Sequence, residues 1–378
     1  LILKIVMNMK GLYYKGLNSF TLRQVSSKIN TTVFSSTIIC LMLFITICFL
    51  SSCLSIKNSL TGNIDELSKV DVEIIKDRNV TDDFIKENLS TIDKYPGEKY
   101  VEIAFFGGSF TAIDERLRNR LCALAHKYLS AGKVDGIRCS TRPDAIDEGR
   151  LGELKKYGFT AIELGVQSTD DEVLKKSGRG HNAEAVFKSA GLIKEYGFSL
   201  GLQMMLGLVG DTREKMIKTA EDIISLKPDC VRIYPTLVIE DTPLFDMMKS
   251  KKYTPLTLCE ATDILSVLLE KFYDNNINVI RVGLQTTDEV NENTVTGPYH
   301  PAIREMAETL LFRRKIEKYL CENEGAKDIT IFANSKNISA VSGTNKANKE
   351  YFYKKDGILI KVKGDNLLKT GQIKILKN

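Results

Sequence analysis

The sequence predicts an α/β fold built on a parallel sheet. Short apolar runs recur at intervals of about 25–38 residues between Val101 and Tyr234, and amphipathic stretches of helix length fill the gaps. After each of four successive runs comes a glycine-containing or polar cluster, and parallel sheets bind ligands at the carboxyl ends of their strands. A doubly wound sheet and a barrel share this pattern.

The amino-terminal stretch is unlike the rest. Residues 1–62 hold 6 Lys/Arg and no acid, and Val33–Ile56 carries no charge. A basic segment (Lys4, Lys10, Lys15, Arg23, Lys28), the apolar run Thr37–Leu50 and the box Leu50-Ser51-Ser52-Cys53 have the order of a lipoprotein signal. The 24 uncharged residues would also just span a bilayer. Strands are expected at Val101–Phe105, Gly136–Ser140, Ala161–Gly165, Ser199–Met204 and Cys230–Tyr234, with helices over Arg116–Leu129, Glu148–Lys156, Asn182–Tyr196 and Arg213–Ser225. A helix over Leu256–Asn275 and a run at Asn278–Val282 supply a sixth unit. Beyond Arg313, Asp328–Ala333, Ile338–Val341, Gly357–Val362 and Gln372–Leu376 are short β-like runs in a Lys- and Asn-rich background. The organisation expected is an atypical segment 1–62, a barrel 63–320 and a small basic region 321–378.

Composition limits the function. With 43% hydrophobic residues the chain can bury a core, and 8 cysteines in 378 residues are too sparse for a disulfide scaffold. Residues 63–310 hold 32 basic and 41 acidic groups, whereas 311–378 hold 15 and 7, so only the two ends are candidates for polyanion contact. No HExxH, P-loop or GxSxG sequence occurs, which removes the common zinc peptidase, P-loop and serine hydrolase readings.

The candidate site residues lie after the strands. Gly107-Gly108 follow the first, where glycine lets a ligand approach backbone or simply makes a tight turn. Ser140–Asp144 follow the second, Gly165–Ser168 the third and Gln203–Thr212 the fourth, and four clusters on one rim point to a site. Ser177-Gly178-Arg179-Gly180-His181 is either an anion-facing loop or a helix cap at Gly178. His126 is read as a partly buried packing residue. Cys122, Cys139, Cys230, Cys259 and Cys321 are read as small buried hydrophobes.

Together, EIAFFGGSFTAID, STRPDAID, ELGVQSTDDEVLKKSGRGH, GLQMMLGLVGDT, RIYPTLVIEDTPL and GPYHPA resemble the radical S-adenosylmethionine superfamily, and within it the Elongator-catalytic-subunit-like proteins without an acetyltransferase domain. The resemblance covers roughly residues 98–320, and the tail is similar to that group's carboxyl-terminal part. It implies a partial (β/α)6 barrel holding S-adenosylmethionine and a [4Fe-4S] cluster across its open rim. By position, Gly107 and Gly108 match the backbone that receives the methionine amino group. Ser140 and Gln167 match polar positions facing the cofactor, and Arg179 a basic position near the methionine carboxylate. Gln203, Met205, Leu206 and Gly207 match the segment beside adenine and ribose. Val209 stands where the group usually has Pro.

The cluster motif is the major departure. The family carries Cys-x3-Cys-x2-Cys between its first strand and the Gly-Gly strand. Aligning Lys57–Gly62 with the residues past that motif puts the expected cysteines at Cys48, Ser52 and Ser55, so only Cys48 survives. Three thiolates leave one iron open to chelate the cofactor, and one thiolate cannot hold the cluster.

The resemblance implies reductive cleavage of S-adenosylmethionine, with electrons from a donor such as flavodoxin or ferredoxin, for radical chemistry on a substrate such as transfer RNA docked on the basic tail. A cytoplasmic location is expected. The expectation for this chain is inactivity, with residues 1–62 the product of a scrambled reading frame. The alternative is a membrane-tethered protein, anchored through residues 33–56, or a cluster-free binding protein that retains the barrel.

Overall fold

The computed structural model describes residues 71–75, 92, 100–106, 108–284, 294–323, 325 and 327–377. The chain divides into residues 1–69 and residues 70–378, and the architecture below is that of the second unit. The stretch 33–56 and Cys48 lie outside the described residues. Among those described, no helix is long and apolar enough to cross a membrane.

Seven parallel strands form one open sheet in chain order: β1 (Asp71–Ile75), β2 (Glu102–Phe106), β3 (Gly136–Thr141), β4 (Ala161–Gln167), β5 (Ser199–Leu206), β6 (Cys230–Pro235) and, past the two-residue β7 (Val238–Ile239), β8 (Asn278–Val282). The six strands from β2 to β8 curl into the expected partial barrel. β1 adds a seventh that the reading above passed over.

Helices α1 (Glu115–Ser130), α2 (Glu148–Lys156), α3 (Asp171–Lys176), α4 (Ala183–Glu195), α5 (Arg213–Ser225), α6 (Pro243–Lys249) and α7 (Leu258–Asp274) connect the strands. They begin where a short polar side chain caps the first turn: Asp114, Asp147, Asp170, Asn182, Thr212, Thr242 and Thr257 each accept a backbone N–H three residues on. Thr257 and Glu260 form a reciprocal capping box. The outer face of the sheet (Ile103, Ile137, Ile162, Leu164, Leu202, Ile233) is fully buried against helix residues such as Leu151, Ile193, Ile223 and Leu265.

After β9 (Thr294–Thr296), which pairs antiparallel with β7, α8 (Ile303–Glu322) leads to a second sheet. There β10 (Asp328–Ala333) pairs in parallel with β11 (Leu359–Gly364) and antiparallel with β12 (Ile373–Lys377). The β-like run Ile338–Val341 is instead a helix, α9 (Ile338–Ser342), followed by α10 (Ala347–Asp356). The fully buried Asn348 explains this: its amide donates to the carbonyls of Thr309, Ala340 and Val341, locking that segment helically against α8.

Four residues are less buried than the sequence suggested, Cys230 at the start of β6 being only partly buried. Cys259 and Cys321 are exposed because they fall on the outer faces of α7 and α8. His126 is exposed on α1, its ring bonded to the Tyr157 carbonyl and to Ser130.

Candidate functional site

The carboxyl ends of β2 to β6 carry most of the residues singled out in the sequence. Gly107 lies outside the described residues. Gly108 has φ +154°, a conformation side chains rarely adopt, and a Cβ there would meet open space. Its carbonyl lies 3.5 Å from Ser140 Oγ, so the ends of β2 and β3 meet at this point. Ser109, Thr111 and Thr141 brace the corner, with Thr141 Oγ1 at 2.8 Å from Ser109 Oγ and 2.5 Å from Thr111 Oγ1.

Gln167 ends β4 at a register shift in the β4–β5 ladder, with φ +66°. Its Oε1 is buried and has no hydrogen-bond partner. Arg179 follows a Schellman end to α3, in which Gly178 N–H donates to Lys175 O and Arg179 N–H to Leu174 O. The cap at Gly178 and an exposed Arg179 thus coexist. The Arg179 guanidinium reaches Met205 Sδ at 3.1 Å and has no carboxylate partner among the described residues. Partial desolvation of the guanidinium pulls its pKa down.

The segment 203–207 divides. Met205 faces Arg179, whereas Leu206 is fully buried in the core on the opposite face, so only its backbone is available to a ligand. Gly207 turns with φ +72°, and its carbonyl accepts from Tyr253 Oη at 2.7 Å. Gln203 lies deeper, donating to Glu163 Oε2 at 2.9 Å.

That bond belongs to a buried network that sequence reasoning missed. Glu163, 1% exposed, also accepts from Arg138 at 2.9 Å and from Arg232 at 2.7 and 3.1 Å, and Arg138 bonds Glu102 at 2.7 Å. Arg232 also lies over the Phe106 ring, 4.9 Å from its centroid. A Cβ at Gly201 would come within 2.5 Å of Glu163 Cγ, so glycine on β5 is what admits the glutamate. Burial works against ionisation of Glu163, but Arg232, Gln203 and Arg138 outweigh it and hold the carboxyl below its usual range. The signal was one polar residue inside each apolar run: Glu102, Arg138, Glu163, Gln203, Arg232.

Of the five buried side-chain polar atoms without a partner among the described residues, four are at this end of the sheet: Gln167 Oε1, Ser177 Oγ, His181 Nδ1 and Thr236 Oγ1. Buried polar groups are normally satisfied, and such a concentration marks a place built around something else.

Comparison with known proteins agrees with this architecture. The family model of the radical SAM superfamily matches residues 69–223, and that of the radical SAM C-terminal domain follows at 228–312. The chain belongs to the radical SAM superfamily. Among the relatives, a tRNA uridine(34) acetyltransferase of Methanocaldococcus jannaschii is 32% identical over 203 residues, 48% of this chain and 37% of the relative. Elongator complex protein 3 of Homo sapiens is 33% identical over 183 residues, 42% of this chain and 34% of the relative. The chain therefore spans little more than a third of the length of these curated relatives. The structure of the archaeal Methanocaldococcus infernus Elp3 superposes with a TM-score of 0.54 at 23% identity, covering 76% of this chain and 67% of that one, which shows a common fold.

A radical SAM barrel implies S-adenosylmethionine and a [4Fe-4S] cluster, and the described residues suit the two unequally. An open glycine backbone, an orphaned amide oxygen and an unpaired guanidinium suit an amino acid-bearing cofactor. Among the described residues the cluster finds no such fit; Cys40, Cys48 and Cys53 lie outside them. The connection between β1 and the Gly-Gly strand, residues 76–101, contains no cysteine. Cys122 and Cys139 are buried, Cys230 opens β6 at its amino end, and Cys259 and Cys321 sit on helices. No three His, Cys, Asp or Glu among the described residues are grouped to hold a metal.

Proposed function

We propose that the rim of β2 to β5 is an S-adenosylmethionine site and that this chain, as written, holds the cofactor without cleaving it. One observation carries the reading: Arg179, a cation without a carboxylate partner among the described residues, stands on the same rim as Gln167, whose buried amide oxygen accepts from none of them. An α-amino acid supplies the carboxylate and donors such a pair lacks. Gly108 would receive the amino end through open backbone, with Ser140 beside it. Gly107 and the backbone of Leu206 and Gly207 are the remaining contacts proposed. Cleavage needs an electron delivered through a cluster, and one candidate thiolate, Cys48, does not support it.

Calorimetry on the full chain with S-adenosylmethionine and S-adenosylhomocysteine tests this. Binding is expected, with Arg179→Ala weakening it by one to two decades, the measure of a charge-assisted contact of about 1.5–3 kcal/mol. Gly108→Val should abolish it, because a side chain strains the backbone and fills the open approach. Anaerobic reconstitution should give no stoichiometric iron and sulfide. Unchanged binding in both variants would sink the site assignment, and about four irons per chain would sink the inactivity.

The partner proposed is RNA, as the transfer RNA-directed activity in the archaeal relative's name suggests, through the second sheet. On its exposed face Lys361 and Lys363 of β11 and Lys374 of β12 flank Phe332 of β10, with Leu359 and Leu376 exposed beside them. Lysines around an aromatic on a sheet surface suit phosphates and an unstacked base. Replacing the three lysines by Glu should weaken binding of a single-stranded RNA and flatten its salt dependence by about two to three units of slope. An unchanged slope would place the RNA elsewhere. The five described cysteines are all free, which favours a reducing, cytoplasmic setting.

A further inference from the structure

The loop that carries Arg179 also carries His181, and the two residues reach different parts of the rim. His181 is 8% exposed, and its Nε2 lies 3.0 Å from the Val166 carbonyl. A carbonyl has no proton to give, so Nε2 is the donor. The same carbonyl accepts Ser168 N–H at 2.8 Å, closing a three-residue γ-turn around Gln167. With φ +66° at Gln167 this is the rarer, strained kind of γ-turn, and a non-glycine residue stays in it only where its surroundings hold it.

Two anchors are present. On one side Ser168 Oγ lies 3.3 Å from Thr219 Oγ1 of α5, and Thr169 N–H donates to the same oxygen at 3.2 Å. On the other side is the His181 bond. Between them the Gln167 amide lies over Gly165, where a Cβ would come within 2.8 Å of Gln167 Nε2. The glutamine thus points where it does because three things agree: no side chain at Gly165, a left-handed turn, and a held carbonyl at Val166.

We infer that His181 is a positioning residue for the cofactor recess, fixing the turn that presents Gln167 through its bond to the Val166 carbonyl. This rests on the proposed S-adenosylmethionine site. It also gives residues 177–182 two duties, supplying Arg179 directly and Gln167 indirectly.

The full chain is titrated with S-adenosylhomocysteine for wild type, His181→Leu, His181→Gln, Gln167→Ala and the double variant His181→Leu/Gln167→Ala. His181→Leu should weaken binding about tenfold, as should Gln167→Ala, and the double variant should be no weaker than Gln167→Ala by more than about twofold, because coupled residues do not add. His181→Gln, whose amide can still donate, should recover most of the affinity. Additive losses, or none from His181→Leu, would overturn the proposal. If the leucine variant does not fold, His181→Asn, too short to reach the carbonyl, takes its place.

Hydrogen exchange at the Ser168 amide reads the turn without ligand. Loss of the His181 bond should raise that rate about tenfold while amides of β3 keep theirs, and an unchanged rate would also overturn the proposal. If wild type binds no ligand yet exchange responds as expected, the cofactor reading fails and the positioning of Gln167 stands.

Discussion

The two faces of the parallel sheet obey opposite rules. On the outer face Ile103, Ile137, Ile162, Leu164 and Ile233 meet the helices with no exposed surface and no polar group to satisfy. On the inner face Glu102, Glu163 and Arg232 are 5%, 1% and 8% exposed, almost as buried, yet charged. The outer face follows from hydrophobic burial alone. The inner face exists only because each charge has a partner, so its residues stand or fall as a set.

The sharpest way to break that contrast is at two neighbouring residues of β4. Glu163→Ala leaves Arg232 buried without its carboxylate and should cost about 3–5 kcal/mol by chemical denaturation. Leu164→Ala, on the other face, should cost about 2–5 kcal/mol through the cavity it leaves. The costs overlap but the remedies differ. Replacing Glu102, Arg138, Glu163 and Arg232 together by apolar residues of similar volume should restore most of the first loss, and nothing changed on the inner face should restore the second. If the fourfold replacement is no better than Glu163→Ala, the inner face is not a mutually dependent set.

A second contrast sets a buried carboxyl against a half-buried one. Glu163 is held below its ordinary value of 4.5 by its arginines, so its contribution is complete above about pH 4.5 and lost as pH falls through the lower folded value. Asp211, in the loop after β5, is pushed by burial from 3.8 up to about 6. Its penalty is absent below the unfolded value and complete above about pH 6. Asp211→Asn should therefore stabilise the protein at pH 7 by up to about 3 kcal/mol and scarcely at pH 4. Unfolding curves at the two pH values check this, and an equal effect at both would contradict it.

The smallest effect is expected at the Schellman turn. Gly178→Ala, at φ +66°, should cost about 1 kcal/mol and leave the inner network untouched. A larger loss would mean that this turn supports more than the end of α3.

These contrasts also show what could be read from the chain. The outer face and its helices were legible because their periodicity is local: Glu148–Lys156 and Arg213–Ser225 match the expected bounds, and the other predicted barrel helices differ only at their ends. The inner face was not. Glu163 inside AIELG reads as an interruption of an apolar run, and its partners lie on β3, β5 and β6, a proximity no local pattern reports. At the rim, the glycines and polar clusters were visible as types. The turn at Gln167 was not, since it depends on a ladder shift and on a histidine 15 residues beyond Val166 in a different loop. Ile338–Val341 was misjudged because β-branched residues favour strands, and there Asn348 overrides the preference.

The order of strands in the main sheet has a consequence for assembly. Because β1 to β6 and then β8 lie side by side in the order in which they leave the ribosome, each new strand finds its neighbour already made. Such a sheet can lengthen one βα unit at a time, each new strand docking on the one made before it. The ladder from β2 onward can thus be laid down on its own pattern, each βα unit covering the edge left by the one before it.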